Sequence, residues 1–266
     1  MTDMEKVKIH GVPETMLQTL FARAAHSQKK EHEFYDAKAI EIVKQLDYDF
    51  SKAEKDAAMS SGVIARTILL DQMVGAFLEE HPDATVVNIA CGLDTRVYRL
   101  DNGQVRWYNL DLPEVIDIRR RFLNEHGRIS MIAKSAMDES WAAEIEDPTG
   151  EVLVVIEGLV MYLTEADVKK ILSIICSRFE HAEIIMEIMN PFIMRYMNEK
   201  SIEASKARFT WDLKSGKELE SIVSGLTWIE DVSLVEGMKE LYPVYKLLGW
   251  IQPVKNLSNK LVILRK

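Results

Sequence analysis

Val86-Val87-Asn88-Ile89-Ala90-Cys91-Gly92-Leu93-Asp94-Thr95-Arg96 joins an apolar run to a small-residue turn and a charged segment, the pattern of a strand passing into a helix in an α/β fold. An apolar run of strand length ends there, three small residues turn the chain, and a helix is expected to follow. At such a junction backbone N–H groups and the helix N-terminus point outward, and the absent side chains let a ligand approach closely. In an open α/β sheet the ligand crevice lies outside the carboxyl ends of the strands, so Gly92 marks the edge where a site is expected.

Working outward, apolar runs of strand length recur at 85–90, 105–110, 129–133, 152–156 and 184–189. Helical patterns fill most of the gaps, at 113–126, 139–146 and 165–179. This alternation predicts a parallel sheet with helices on both faces, and the unbroken run Val152–Ile156 suits a strand buried on both sides. Before residue 84 the apolar positions recur at three and four (Met16, Leu20, Ala24; Ala37, Ile40, Val43; Val63, Ile64, Ile68, Leu69). That spacing predicts several amphipathic helices and no strand. Beyond 190 a helical stretch is expected to about 222, then a turn at Ser224–Gly225 and strands at 228–235 and 260–264. With no repeat and no linker, the 266 residues read as one domain, a helical cap over 1–80 and an α/β core over 81–266, meeting near His81–Pro82.

Composition narrows the partners. Lys and Arg number 33 against 42 Asp and Glu, a net charge of −9, and the densest basic clusters, Lys29–Lys30 and Arg119–Arg121, fall in helical patterns. Phosphate recognition needs a positive face, so nucleic acid is not an expected partner. Cys91 and Cys176 are too few for a disulfide framework and read as reduced, half-buried thiols. Residues 1–20 lack the basic start and apolar run of a signal peptide, and the longest apolar runs are strand-sized. The expectation is a cytoplasmic protein with no membrane partner.

Two acids join the turn. Asp111 ends the second strand nineteen residues after Gly92, in Tyr108-Asn109-Leu110-Asp111-Leu112-Pro113, where a carboxylate can accept hydrogen bonds from both hydroxyls of a ribose. Glu157 ends the fourth apolar strand at the same edge, a costly place for a charge unless something pairs with it. A nucleotide-type ligand follows, but its kind needs the turn itself. A dinucleotide turn wants Gly-x-Gly-x-x-Gly. Here only Gly92 is glycine, and Asp94 would repel a pyrophosphate while welcoming a sulfonium and an amino group.

Ile89-Ala90-Cys91-Gly92-Leu93-Asp94-Thr95-Arg96, with Tyr98-Arg99-Leu100 behind it, resembles the first motif of the leucine carboxyl methyltransferase superfamily, nearest its polyketide O-methyltransferase branch. Asp111-Leu112-Pro113-Glu114-Val115-Ile116 is similar to the second motif, Lys134 to Trp141 to the third, and Glu157 to Leu163 to the fourth. Ala22-Arg23-Ala24 and the stretch from Asp36 to Phe50 extend the likeness, which fades after residue 190. The resemblance implies a Rossmann-like fold that uses S-adenosylmethionine, with a seven-stranded, mostly parallel sheet whose last strand is antiparallel and forms a hairpin with the one before. It implies that the backbone around Ala90 and Gly92 holds the methionine part, with Asp94 alongside, and that Asp111 with Leu112 holds the ribose. Ser135, Ala136 and Met137 would border the adenine, and Glu157, Gly158 and Tyr162 would close the far wall. Arg66 from the cap would clamp the methionine carboxylate, assisted by Arg23. Family members usually carry glycine where this chain has Ala90 and often alanine at Cys91; both replacements are small.

The reaction the resemblance implies is methyl transfer to an oxygen of a small-molecule acceptor, leaving S-adenosylhomocysteine. A carboxylate acceptor needs no general base, whereas a phenol (pKa about 10) gains from one. The motifs hold no histidine; His10, His26, His32, His81, His126 and His181 are scattered, mostly among polar residues, so none is assigned a catalytic role. No residue set is assigned to a metal. The methionines and aromatics Met186, Met189, Phe192, Met194, Tyr196, Met197, Phe209 and Trp211 read first as packing and second as an adaptable acceptor pocket. Two rivals stand beside the methyltransferase: an NAD-linked oxidoreductase, opposed by the glycine pattern, and a non-catalytic nucleoside-binding regulator.

Overall fold

A computed structural model describes residues 11–197 and 208–266. Its strands are Thr85–Ile89 (β1), Arg106–Asp111 (β2), Ile129–Ala133 (β3), Glu151–Ile156 (β4), His181–Ile188 (β5), Thr227–Ser233 (β6) and Lys260–Arg265 (β7), all within a few residues of the apolar runs. They form one sheet in the order β3-β2-β1-β4-β5-β7-β6, with β1 to β5 parallel and β7 antiparallel to both β5 and β6. Reversal of order at β1 opens a crevice at the carboxyl edge, where ligands of such sheets bind. Ile89 pairs with Leu110 and with Ile156, so the residues that follow, Ala90, Asp111 and Glu157, emerge side by side.

Helices precede the sheet: Thr15–Ser27 (α1), Ala37–Gln45 (α2), Ser51–Lys55 (α3) and Ala57–Glu80 (α4). Within and after it come Val97–Leu100 (α5), Pro113–Phe122 (α6), Glu165–Arg178 (α7), Pro191–Met197 (α8), Leu219–Ile222 (α9), Val235–Leu241 (α10), Pro243–Leu248 (α11) and Gln252–Asn256 (α12). Alternate strand residues serve opposite faces. Val87, Ile89 and Val154 pack on α7 through Val168, Ile171 and Ile175, while Val86, Trp107 and Val155 pack on α4 through Val74, Phe77 and Leu78. The first helices share a third core with the site: Leu17, Leu20 and Ile42 meet Leu93 of the turn and Val115 and Ile118 of α6.

Several expectations are corrected. The helix after the turn is a single turn that starts only at Val97, so the loop cannot lean on a long helix dipole. The pattern at 139–146 folds as a 3₁₀ turn, Glu139–Glu144, and α6 ends at Phe122. Residues 208–215 are not helical: the Thr210 and Leu213 N–H groups go to Met161 O (2.8 Å) and Met189 O (3.0 Å) on neighbouring elements, leaving no intrahelical ladder. The expected helix over 198–207, His10 and the Met197 side chain lie outside the described residues. β6 and β7 do pair, but through residues 234–259 with three helices rather than a tight hairpin. There Gly237 of α10 crosses α4 so closely that a Cβ would meet Ala65 O at 2.3 Å. The 24-residue α4 is long and apolar enough to cross a bilayer, contrary to the reading of apolar runs, and 56% of its apolar window is buried inside the protein.

Candidate cofactor site

The turn after β1 is built from unusual backbone. Ala90 (φ 55) and Gly92 (φ +48) both take the left-handed region, which only glycine enters without cost. Met16 of α1 packs against the second of them, so that a Cβ on Gly92 would lie 3.0 Å from Met16 Cβ. Asp111 secures the turn from the next strand: its Oδ2 accepts from the Gly92 N–H (2.8 Å) and its Oδ1 from the Leu112 N–H (2.7 Å). On the third strand's edge, buried Trp141 donates to Ala136 O at 3.0 Å, and Ser135 Oγ accepts from the Met137 N–H at 3.2 Å.

A cavity of about 280 Å³ opens over these strand ends. Every residue expected at the site lines it: Arg23, Arg66, Ala90, Gly92, Asp94, Asp111, Leu112, Ser135, Ala136, Met137, Glu157, Gly158 and Tyr162. Helix α1 adds Thr15, Met16 and Thr19 along one wall, which the sequence reading did not assign. By contrast, none of the described members of the Met- and aromatic-rich stretch lines the cavity. Met186 and Met189 are core, and Phe192 and Tyr196 are exposed.

The charged residues are not isolated. Arg66 donates through Nε to Glu157 Oε1 and through Nη1 to Glu187 Oε2, both at 2.7 Å. Arg96, 1% exposed, reaches Asp71, Asp94 and Glu157 within 2.9 Å. Arg99 joins Asp71 to Asp36, and Arg23 holds Asp36 (3.1 Å) and Leu93 O (2.8 Å). Four arginines thus face five carboxylates, a slight negative excess that suits a cationic ligand. The sequence reading had Arg23, Arg66, Asp94 and Glu157 but not Asp36, Asp71, Arg96, Arg99 or Glu187 as site-forming residues. An acid in the middle of the apolar strand Ile184-Ile185-Met186-Glu187-Ile188 was the available signal for the last of them.

Electrostatics separate these acids. Burial works against ionisation of Asp94, but Arg96, with Arg23, Arg99 and Arg119, overcomes it and holds the carboxyl well below the usual range. Glu157 is likewise held down, against burial, by Arg66 and Arg96. Glu187 has only a share of Arg66, so burial wins and its carboxyl is pushed up. Burial lifts Asp111 to about 6 despite its two N–H partners, and Tyr162 to about 12, with Glu187 adding to the latter. Burial also raises the Cys91 thiol well above its ordinary value. His26 is buried, its Nε2 2.7 Å from Glu33 Oε2, and it does not line the cavity.

Comparison with known proteins decides which cofactor the chain uses. The family model for leucine carboxyl methyltransferases matches residues 16–176, which contain all thirteen residues expected at the site from Arg23 to Tyr162. The chain belongs to that family. The methyltransferase is 34% identical, over 92% of both chains, to the tetracenomycin polyketide synthesis O-methyltransferase TcmP of Streptomyces glaucescens. It is 30% identical to the S-adenosyl-L-methionine-dependent methyltransferase dpfgK of Gibberella zeae, covering 97% of this chain and 94% of that one. Among solved structures, one assigned as a methyltransferase from Thermobifida fusca superposes with a TM-score of 0.60 at 14% identity, over 92% and 94% of the two chains, which shows the common fold. The protein is a methyltransferase dependent on S-adenosylmethionine, and the NAD-linked and non-catalytic readings fall away.

The cavity fits that cofactor. Its ionised acids Asp94 and Glu157 suit an ammonium and a sulfonium, and Asp111 at a strand end suits a ribose. Ala136, Met137, Leu163 and Ile171 make an apolar slot for a flat ring.

Proposed function

We propose that the methyltransferase acts on an oxygen of a small molecule that enters as an anion, a carboxylate or a readily ionised phenol or enol. The observation that carries this reading is the lack of a suitable base among the described cavity residues. Asp94 and Glu157 are ionised but held low by arginines, Tyr162 keeps its proton to about 12, and no histidine lines the cavity. Asp111, lifted to about 6, has both oxygens committed to the Gly92 and Leu112 N–H groups and to the place of the ribose. An acceptor that must lose a proton in the site would find nowhere to put it. The relative from tetracenomycin polyketide synthesis, an O-methyltransferase, supports oxygen as the nucleophile.

When bound, S-adenosylmethionine supplies an electrophilic methyl group on a sulfonium. Asp111 would accept the ribose hydroxyls, Arg66 and Arg23 would face the methionine carboxylate, and Ser135, Ala136 and Met137 would border the adenine. Thr15, Met16 and Thr19 of α1 line one wall and would keep water from the reacting groups, whose alignment is the main catalytic task of the protein. The N-terminal helices to residue 80 would thus serve as the cap and 81–266 as the core of one unit. The net charge of −9 speaks against nucleic acid as acceptor, and free thiols at Cys91 and Cys176 suit the reducing cytoplasm.

A pH series of kcat/KM with carboxylic and phenolic acceptors of differing acidity tests the proposal. The acidic limb should follow each acceptor's own pKa. A limb fixed at one value for all acceptors would instead reveal an enzyme base and overturn it.

A further inference from the structure

Arg119 does not line the cavity, yet it is wholly buried on α6. One edge of its guanidinium meets Glu125, Nε to Oε2 at 2.9 Å and Nη2 to Oε1 at 2.5 Å. Its Nη1 donates to two carbonyls of the turn, Gly92 O at 3.0 Å and Asp94 O at 2.7 Å. Glu125 is equally buried, and it also accepts from Asn109 Nδ2 (2.9 Å) and the Tyr98 hydroxyl (3.2 Å). The carboxylate therefore locks the guanidinium plane at the angle that serves both carbonyls.

A buried ion pair is a poor way to stabilise a fold, because desolvation of two charges offsets most of their attraction and an apolar pair often does as well. An apolar pair cannot, however, donate to carbonyl oxygens. The peptide unit is planar and trans, so fixing the Gly92 carbonyl turns the Leu93 N–H to the opposite side, and fixing the Asp94 carbonyl does the same for the Thr95 N–H. Within the turn one backbone bond closes the chain on itself, Asp94 N–H to Cys91 O at 2.8 Å, and it leaves the Gly92 and Asp94 carbonyls free, with Ala90 and Gly92 both left-handed. Asp111 clamps it from the cavity side through the Gly92 N–H, and Arg119 clamps it from a position outside the cavity.

The geometry points to the Arg119–Glu125 pair as a positioning device for cofactor binding: without touching the ligand, it orients the peptide units of 92–95 against which the methionine part is held. The inference rests on the assignment of this turn to S-adenosylmethionine.

Two variants test it. Arg119→Met combined with Glu125→Gln removes both charges at once and keeps an acceptor for Asn109, so no buried ion is left alone. Arg119→Lys keeps the charge but loses the planar, two-sided donor set. Calorimetric binding of S-adenosylhomocysteine, ligand-free melting and amide exchange are measured on each. The dissociation constant should rise by about tenfold or more in both, with KM for the donor rising while kcat changes little, as for an interaction shared by ground and transition states. Ligand-free melting of the double variant should stay within a few degrees of the parent, with faster exchange confined to 93–95 and not reaching β4. A pair that is only structural gives the reverse, lower melting with unaltered affinity, and affinity within about twofold of the parent in a folded variant overturns the inference. Should the double variant fail to fold, Arg119→Lys decides by the same affinity criterion. Absence of binding in the unaltered chain would strike the cofactor assignment itself and take this inference with it.

Discussion

Asp111 commits both oxygens to backbone N–H groups, and burial still lifts its carboxyl from 3.8 to about 6. Because the folded value is the higher one, the native protein retains a proton in that interval that the unfolded chain has lost. Asp111 therefore subtracts stability as pH rises through it. Ribose hydroxyls donating to the carboxylate favour the ionised form. Affinity for S-adenosylhomocysteine should climb as pH rises from about 4 to 6 and level off above, with proton release in the lower range. Calorimetry in buffers of different ionisation enthalpy reads that proton, and a flat affinity would place the ribose elsewhere. Asp111→Ala should weaken binding by about 2 kcal/mol or more, a charge-assisted pair being worth about 1.5–3. Ala90 is a different case, a side chain held at φ 55 where the family usually has glycine. Ala90→Gly should relieve about 1 kcal/mol of strain and raise the melting temperature by about 2–4 °C. A lower melting temperature would show that the methyl group packs better than the backbone is strained.

Among elements, α4 carries the most consequence. Its Asp71 serves Arg96 and Arg99 together, at 2.9 and 2.7 Å. Asp71→Asn leaves two buried guanidinium groups short of a counter-ion, and breaking such a pair costs about 3–5 kcal/mol; urea unfolding should show a loss of this size. The same bonding limits how freely the cap can move. Amide exchange should find 63–78 of α4 protected with or without ligand, and ligand-dependent protection confined to the start of α1, where Thr15, Met16 and Thr19 line the cavity. Uniform protection of α1 in both states would deny it any part in closure. These contrasts also show what sequence could convey. β1 to β5 and β7 were legible because each is an apolar run set into the sheet, whereas β6, Thr227–Ser233, is exposed or half-buried along most of its length and was legible only from the turn before it. Asp111 and Glu157 were legible because they end or follow such runs, and Gly92 because it turns the chain just beyond one. The extended path of 208–215 was not, since its backbone bonds go to Met161 and Met189, partners that no local pattern encodes. Asp71 and Arg119 were hidden for the same reason: on a helix, a charged residue that reaches across to another element has the spacing of one that faces water. Asp36 reads as an ordinary cap of α2, which it also is.

At the scale of the molecule, the sheet brings acids from β2 and from the ends of β1 and β4 to one edge, under helices that supply arginine. A ligand with a pyrophosphate meets repulsion there. Calorimetry should therefore find S-adenosylhomocysteine binding to the purified chain and no comparable affinity for NAD or NADP. Equal affinities would contradict the electrostatic account of the cavity.

The sharing of Asp36 and Asp71 with Arg96 and Arg99 bears on how such an enzyme can be recombined. Half of each ion pair is written before residue 81 and half after it, so a graft that exchanges the leading helices for those of a relative transplants charges as well as a cavity wall. A chimera leaves Arg96 and Arg99 with their full set of counter-ions only if the incoming segment brings carboxylates to both positions. Exchanges at Thr15, Met16 and Thr19 can accordingly reshape the cavity wall while the acids behind them stay fixed.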